Sequence, residues 1–194
     1  AQSGRLSHIN VGSWNDVGID PIMTKKTKES LIDWCYAAVT FQALKGKRVV
    51  VFGHDSMGME TALPQVSATR NQFGIEITRL DMKLLSDMLT KKSYDERELL
   101  KLKKWIKSNC LKIEIPKETD EDNLDKSLAL YLIVRDMMKE LNAVGGGFMS
   151  QLEWGSDSRG IPLPVADIME SLFNSTFDHN GPKEVIPYLS LIHI

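Results

Sequence analysis

Three loops of this 194-residue sequence carry side chains that could bind a ligand, and none carries a complete catalytic motif. The first, Gly53–Gly58, lacks the Lys-Ser/Thr pair of a Walker loop and the spacing of a dinucleotide fingerprint. Two interpretations stay open for this loop. It is either a tight turn around a packed Met57 or one wall of a ligand site.

The second loop, Phe148–Gly155, follows a glycine-rich apolar run. Its Gln151 could hydrogen-bond to a sugar-like ligand, and its Trp154 could stack on one. The alternative interpretation makes Trp154 part of the core and Gln151 a surface amide.

The third loop, Asn174–Gly181, contains Asp178 and His179, which are both possible metal ligands. Adjacent residues rarely both reach one ion, so the pattern favours a turn in which Asp178 and Asn180 bond backbone groups. No Gly-x-Ser-x-Gly elbow occurs, and we assign no catalytic residue and no metal ligand. Metal-binding His-x-x-x-His spacing is also absent among the four histidines, which are His8, His54, His179 and His193.

The composition argues against several classes of function. Lys and Arg number 24 against 26 Asp and Glu, and this formal charge of -2 argues against a nucleic-acid-binding surface. No apolar run approaches the roughly 20 residues that cross a bilayer, and no secretory signal pattern is present. Cys35 and Cys110 stand in apolar, helical settings. We therefore expect two buried thiols and a cytoplasmic protein without membrane or nucleic-acid partners.

The elements that must position these loops follow an alternating pattern. Short apolar runs bounded by glycines predict strands over Lys47–Phe52, Gly74–Leu80 and Ala143–Met149, the last passing close to other backbone. Strands alternating with helices indicate an α/β fold with a doubly wound parallel sheet, whose ligands bind at the carboxyl ends of the strands. Helical spacing predicts helices over 29–45, 59–72, 123–141 and 165–174, the third of them amphipathic.

Two further helices are predicted from their N-terminal caps. Asp81 should cap a helix that carries Leu84 and Leu85. Ser93 and Glu96 have the spacing of a capping box, which would begin the next helix.

These pieces resemble the L-fucose isomerase family, whose members interconvert aldoses and ketoses. The similarity is co-linear over roughly residues 40–187 and is densest in Ala166–Pro187, which includes the matching piece Glu170–Gly181. The other matching pieces are Leu44-Lys45-Gly46-Lys47, Gly53-x-x-Ser56-Met57-Gly58, Ser93-Tyr94-Asp95-Glu96, Ile133-Val134-Arg135-Asp136-Met137-Met138, Asn142-Ala143-Val144 and Gly147-Phe148.

The resemblance implies a large cytoplasmic enzyme of three domains that assembles as a homo-hexamer. In this chain, residues 1–45 would be the tail of a preceding domain. Residues 46–187 would be a Rossmann-like second domain, with helices on both faces of a doubly wound parallel sheet. Residues 188–194 do not match the family, and we expect them to be a truncation scar.

The resemblance also implies a metal. The family binds Mn²⁺ through Glu, Asp and His, and its carboxylates move a proton through an ene-diol. In the family, an Ala-Thr-Glu stretch with the metal-binding Glu follows the strand that begins near Val185. Tyr188–Ile194 has no acid, so no metal ligand is assigned here, and His193 is not made one. We expect the chain alone to be inactive.

Individual residues take roles from the resemblance. Met57 would line the sugar site, often that of a neighbouring subunit, and Ser56 and Gly58 would support the structure of its loop. Met149 stands where the family more often has Gln, which leaves Gln151 as the amide of the second loop. With Trp154, Met57 and Gln151 are our predicted substrate-binding residues.

The third loop is assigned a positioning role. Asp178 and Asn180 would shape a turn that Phe177 anchors in the core. This turn would set where the strand that follows it delivers the metal-binding Glu.

The sequence thus predicts part of a metal-dependent ketol-isomerase that converts a small sugar such as L-fucose to L-fuculose. A non-catalytic sugar-binding domain and an oligomerisation domain are the alternatives. An Ala-Thr-Glu stretch followed by a downstream Asp and His would favour the enzyme.

Overall fold

The computed structural model describes residues 24–53, 65–115, 120–148 and 164–190. Its helices are α1 Lys25–Leu44, α2 Val66–Phe73, α3 Met82–Thr90, α4 Glu96–Asn109, α5 Glu121–Glu140 and α6 Pro164–Phe173. Its strands are β1 Arg48–Phe52, β2 Glu76–Leu80, β3 Ala143–Phe148, β4 Phe177–Asp178, β5 Gly181–Pro182 and β6 Tyr188–Ser190.

Four strands form one parallel sheet in the order β2-β1-β3-β6. The connections from β1 to β2 and from β2 to β3 run in opposite directions across the sheet. Right-handed crossovers therefore place α2 on one face and the helices between β2 and β3 on the other. The predicted α/β fold with a parallel sheet is confirmed.

Strand β1 is central because its sequence suits burial on both faces. Its residues Val50, Val51 and Phe52 are buried, and β-branched runs of this kind fill the inner strands of parallel sheets. The predicted strands that became β2 and β3 are confirmed within two residues at their ends.

The glycine-rich strand β3 passes close to other backbone, as predicted. A Cβ atom on Gly145 would lie 3.2 Å from the carbonyl oxygen of Pro187. The same carbonyl accepts a hydrogen bond from the N–H of Gly146 at 3.0 Å. Since proline has no N–H to donate, strand β6 begins only at Tyr188, three residues beyond the predicted start.

Helix α5 forms the centre of the core. Every residue of Ser127–Val134 is buried, because α3, α4, α6 and the sheet surround this part of the helix. The prediction of an amphipathic helix was therefore wrong for its middle two turns. Such a helix is apolar on all sides because it has neighbours on all sides.

Helix α1 has the opposite surroundings. It contains no buried residue, and Tyr36 and Val39 are 70% and 68% exposed. The helix itself is confirmed, but its apolar residues have no cover among the residues that the structure describes. Cys35 in α1 and Cys110 at the end of α4 are exposed, so the prediction of two buried thiols was wrong.

The helix caps were predicted with mixed success. The side chain of Asp81 accepts a hydrogen bond from the N–H of Lys83 at 2.7 Å, which confirms it as the cap of α3. Helix α4, however, is capped by Asp95, whose Oδ1 accepts from the N–H of Arg97 at 2.8 Å. The predicted cap at Ser93 was wrong, because the carboxylate of Asp95 meets the free N–H groups of the first turn two residues later.

Within the described ranges, no helix is long and apolar enough to cross a membrane.

Candidate functional site

The carboxyl edge of the sheet has one natural place for a ligand. Strand β1 pairs with β2 on one side and with β3 on the other, so the strand order reverses between β1 and β3. Open parallel sheets bind ligands at such a switch point, outside the carboxyl ends of the strands.

The two strands that flank the switch point end side by side. Phe52 of β1 and Phe148 of β3 are partners in the strand register, and their rings lie 5.7 Å apart. Gly53 then leaves β1 with a φ of 98°, a conformation that few residues other than glycine adopt. The first and second predicted ligand loops therefore both start at this edge.

The predicted substrate-binding residues themselves lie outside the described residues. Met57, with Ser56 and Gly58, belongs to the segment that follows β1, and Gln151 and Trp154 belong to the segment that follows β3. The register of β1 and β3 brings the origins of these segments together. The roles of the five residues stay predictions.

A second polar group lies within the described residues and joins three parts of the chain. We name it the Glu98 cluster. It combines α4, α5 and the β4–β5 hairpin, and its members are Glu98, Tyr131, Arg135, Asp178, His179 and Asn180.

An ion pair between two helices forms the base of the cluster. The guanidinium of Arg135 donates to both carboxylate oxygens of Glu98, at 2.6 and 2.9 Å, and also bonds Asp136 at 2.7 Å. These hydrogen bonds lower the pKa of Glu98 to about 2, despite the opposing effect of burial. In return, the Glu98 carboxylate raises the pKa of Arg135 above its usual value. Both groups stay charged throughout the ordinary pH range.

The hairpin adds further contacts to the same carboxylate. Nε2 of His179 lies 3.0 Å from Oε1 of Glu98, and the side-chain amide of Asn180 donates to that oxygen at 3.1 Å. The His179 side chain is 1% exposed, and its Nδ1 lies 4.0 Å from the carboxylate of Asp178. The Glu98 carboxylate thus binds both helix α5, through Arg135, and the β4–β5 hairpin.

Asp178, in strand β4, makes the second set of contacts that hold the hairpin. Its Oδ2 accepts from the buried hydroxyl of Tyr131 at 2.9 Å, and its Oδ1 accepts from the N–H of Asn180 at 2.7 Å. Burial, followed by the contact with Asp178, raises the pKa of Tyr131 above its usual value. The positioning role assigned to Asp178 and Asn180 stays a prediction. Phe177 is 53% exposed, so the expected anchor in the core was wrong.

The Glu98 cluster and the ligand edge lie at opposite ends of the sheet. Helix α5 leads into the amino end of β3, and the guanidinium of Arg48 at the start of β1 bonds the carbonyl of Leu141 at 3.0 Å. The hairpin likewise precedes the amino end of β6. The cluster therefore belongs to the framework of the domain and not to the ligand edge.

Sequence reasoning did not single out Glu98 or Arg135 for this pairing. Arg135 follows the apolar run Leu128–Val134, and a charge in that setting is a signal of a buried or shared charge. Glu98 stands in a charged first turn of α4 and carries no such signal. Their pairing could not be read from the sequence, because the two residues belong to different helices and lie 37 positions apart.

The described residues do not provide a site for the expected Mn²⁺. Nowhere in the described ranges do three or more His, Cys, Asp or Glu side chains come together as a metal would require. Within the Glu98 cluster, the carboxylate oxygens are already occupied by Arg135, His179 and Asn180. We therefore derive no step through a metal for this part of the chain.

A cleft of about 570 Å³ lies between the α3–α4 connection and the start of α5. Tyr94 and Leu99 contribute to its lining, together with charges of both signs. Those charges already have partners, since Lys103 bonds Asp125 at 2.7 Å and Lys126 bonds Asp122 at 2.7 Å. None of the lining residues belongs to the ends of β1, β2 or β3, and nothing in the lining selects a ligand.

The parallel sheet with a switch point between β1 and β3 defines an α/β domain of the doubly wound class. Residues 47–190 match the family model described as L-fucose isomerase, second N-terminal domain. The match covers most of the chain, and the chain belongs to the L-fucose isomerase family.

Individual relatives agree with this family. The chain is 25% identical to the L-fucose isomerase of Haemophilus influenzae (strain PittEE), over 88% of this chain and 32% of that protein. It is 25% identical to the L-fucose isomerase of Clostridium perfringens, over 87% of this chain and 32% of the relative. The chain is 27% identical to the L-fucose isomerase of Salmonella choleraesuis, over 85% of this chain and 31% of the relative. The chain thus spans about a third of the length of the curated relatives it matches.

Proposed function

We propose that this chain contains the second N-terminal domain of an aldose–ketose isomerase that converts L-fucose to L-fuculose. The family match over residues 47–190 carries the proposal, since the relatives named above are L-fucose isomerases. The activity is a property of the whole protein, of which this domain would supply part of the sugar site.

The proposed contribution of the domain is to bind and orient the sugar at the carboxyl edge. Because Phe52 and Phe148 are register partners, the segments that follow β1 and β3 start together. Met57 from the first segment and Gln151 and Trp154 from the second would contact the sugar. An apolar side chain and an aromatic ring suit the C–H faces of a pyranose, and an amide suits its hydroxyl groups.

The proposed chemistry transfers one proton between neighbouring carbons. A base removes the proton on C2 of the aldose while O1 gains a proton, which gives the ene-diol. A proton is then returned to C1 while the O2 hydroxyl loses its proton and becomes the carbonyl of the ketose. We assign neither the base nor the acid to this chain. Mn²⁺ is proposed as the cofactor of the whole protein, where it would polarise the sugar oxygens.

The proposal includes a homo-oligomer, expected to be a hexamer. In such an assembly Met57 would contribute to the sugar site of a neighbouring subunit, as symmetric oligomers allow. The ligand would be a small sugar, and the protein would act in the cytoplasm.

The intact protein with Met57→Ala tests the assignment of the sugar site. We expect the KM for L-fucose to rise while kcat stays close to that of the unaltered protein, because binding contacts of this kind act on the ground state and the transition state alike. Met59→Ala, two positions along the chain, is the matched control. A Met57→Ala variant with unchanged kinetics and lowered thermal stability would contradict the assignment.

The chain alone gives a second test. We propose that the 194 residues by themselves form no L-fuculose in the presence of Mn²⁺, because the sugar site would need further parts of the protein. Ketose formation by the purified chain above a blank would contradict this proposal.

A further inference from the structure

Strand β6 is weakly specified by its own pairing. Among the described residues it pairs with β3 alone, in the register Gly146–Tyr188, Gly147–Leu189 and Phe148–Ser190. Two of its three partners are glycines, which offer no side chain to pack against. Glycine-rich pairing leaves the register of a strand poorly determined, so another part of the molecule must fix it.

The β4–β5 hairpin that precedes β6 is not held by apolar packing. Each of its strands has two residues, and Phe177 is half exposed. Its firm contacts are polar: His179 and Asn180 reach Glu98, and Asp178 reaches Tyr131. Two of these side chains are almost fully buried, with Asp178 5% and His179 1% exposed.

The base of these contacts is rigid. Glu98 is tied to Arg135 by two hydrogen bonds, and Arg135 extends from α5, the helix at the centre of the core. Hydrogen bonds between charged groups are short and about twice as strong as neutral ones. The hairpin is therefore bound to the most deeply buried helix of the described domain.

A short and well-bonded segment connects the hairpin to β6. The N–H of Lys183 donates to the carbonyl of Thr176 at 2.9 Å, and its ammonium group donates to the carbonyl of Phe173 at 3.0 Å. Pro187, at the end of the segment, accepts from the N–H of Gly146 at 3.0 Å. These bonds hold the hairpin, the end of α6 and β6 in one arrangement, so the position of the hairpin is linked to the position of β6 along β3.

We propose that Glu98 is a positioning residue that fixes the register of β6 against β3 through the hairpin. The carboxyl end of β6 reaches the same edge as the ends of β1 and β3, so this role would bear on the sugar site. Only that consequence rests on the proposed function. The structural claim can be tested without any sugar.

A simpler role for Glu98 would be to join α4 to α5, and a second ion pair serves as the control for it. Lys103 of α4 bonds Asp125 of α5 at 2.7 Å, with side chains that are 25% and 34% exposed. This pair joins the same two helices, but neither of its members bonds the hairpin in the described structure. Asp125→Asn and Glu98→Gln therefore remove comparable charges with different consequences.

Hydrogen exchange read by mass spectrometry tests the proposal on the intact protein, without metal or sugar. In Glu98→Gln we expect the amides of residues 183–190 and of Gly146 to exchange about 10- to 100-fold faster, the range for a lost hydrogen bond to a charged group. Asn180→Ala should change the same amides by a smaller factor. Asp125→Asn should leave them unchanged.

Two results would overturn the proposal. One is unchanged exchange at residues 183–190 in Glu98→Gln. The other is faster exchange in Glu98→Gln that is spread equally over α4, α5 and β1 and is not concentrated at residues 183–190. Should Glu98→Gln fail to fold, Asn180→Ala decides, because it removes a hairpin contact and leaves the Arg135 pair intact.

Kinetics separate positioning from stability in an active protein. At matched thermal stability, we expect kcat to fall in Glu98→Gln and not in Asp125→Asn. Equal losses of kcat in the two variants would contradict a positioning role. If the unaltered protein forms no ketose while the Glu98→Gln variant shows the localised faster exchange, the proposed function is rejected and this inference is kept.

Discussion

Two twenty-residue helices in the described part of the chain, α1 and α5, have similar apolar character and opposite surroundings. Helix α5 has nine buried residues, and α1 has none. Both contain a long uncharged segment, Trp34–Leu44 in α1 and Ser127–Val134 in α5. Their sequences therefore do not explain the difference between them.

Neighbouring elements explain it. Helix α5 lies between the sheet and three other helices, whereas the C-terminal end of α1 meets the rest of the domain only near Gly74 in the described structure. A helix that is apolar on every side is expected to have neighbours on every side. The spacing of apolar residues thus identifies a helix. The burial of that helix depends on its packing partners, which can lie far away along the chain or outside it.

Removing the same two methyl groups from each helix would show the difference most strongly. Val134 of α5 is fully buried and Val39 of α1 is 68% exposed. We expect Val134→Ala to lower the free energy of unfolding by about 2 kcal/mol, the sum of lost burial and a residual cavity. Val39→Ala should stay within about 0.5 kcal/mol. Urea unfolding of the chain measures both, and equal losses would contradict the exposed position of α1.

Acid unfolding compares the anchored carboxylate of Glu98 with the exposed carboxylate of Glu29. The pKa of Glu98 is lowered to about 2, so its contribution to stability is complete above the usual pKa of about 4.5 and is lost as the pH falls toward 2. Glu98→Gln should reduce the loss of stability over this range. Glu29→Gln should not, because its pair with Lys25 in α1 is exposed and 3.9 Å long. Identical acid profiles of the two variants would count against the Glu98 anchor.

The cap of α4, the helix that holds α5 through Glu98, gives a smaller effect. Asp95→Ala should cost about 1 kcal/mol of unfolding free energy, the usual value for a lost N-cap. Ser93→Ala should change it by less than about 0.5 kcal/mol. Thermal unfolding of the two variants measures this, and a larger loss at Ser93 would restore the capping box predicted from the sequence.

An effect of similar size concerns Gly46, and a smaller one concerns Asn142; these residues follow the two long helices. Gly46 follows α1 with a φ of 75°, and Asn142 follows α5 with a φ of 51°. We expect Gly46→Ala to cost about 1 kcal/mol, since its Cβ would meet open space and only the backbone would be strained. Asn142→Gly should gain no more than about 0.5 kcal/mol, because Asn tolerates this conformation. A destabilising Asn142→Gly would reveal a contact of the Asn side chain that matters more than its backbone.

Local sequence patterns predicted the elements of this fold and left their partners open. The strand ending at Phe52 and the cap at Asp81 follow from neighbouring residues alone, and both are confirmed. The pair of Glu98 and Arg135 depends on how two helices pack, so no local pattern contains it. The same holds for the exposed Cys35, whose helix was identified correctly and whose surroundings were not.

At the ligand edge, the sequence predicted which loops follow the strands, and the strand order explains why two of them meet. The switch point between β1 and β3 can be located only when the strand order of the four-stranded sheet is known. That order depends on pairing between distant segments. The third loop, around Asp178, lies at the other end of the sheet. In our proposal, its influence on the ligand edge acts along the chain, through β6.

Incubation of the intact protein with L-fucose and Mn²⁺ in deuterated water, followed by NMR, tests the proposed isomerase most directly. We predict that L-fuculose forms and that deuterium enters it at C1, because an ene-diol returns a solvent-exchanged proton to that carbon. Sugar binding without ketose formation, and without deuterium at C1 or C2, would contradict the account and favour a non-catalytic sugar-binding domain.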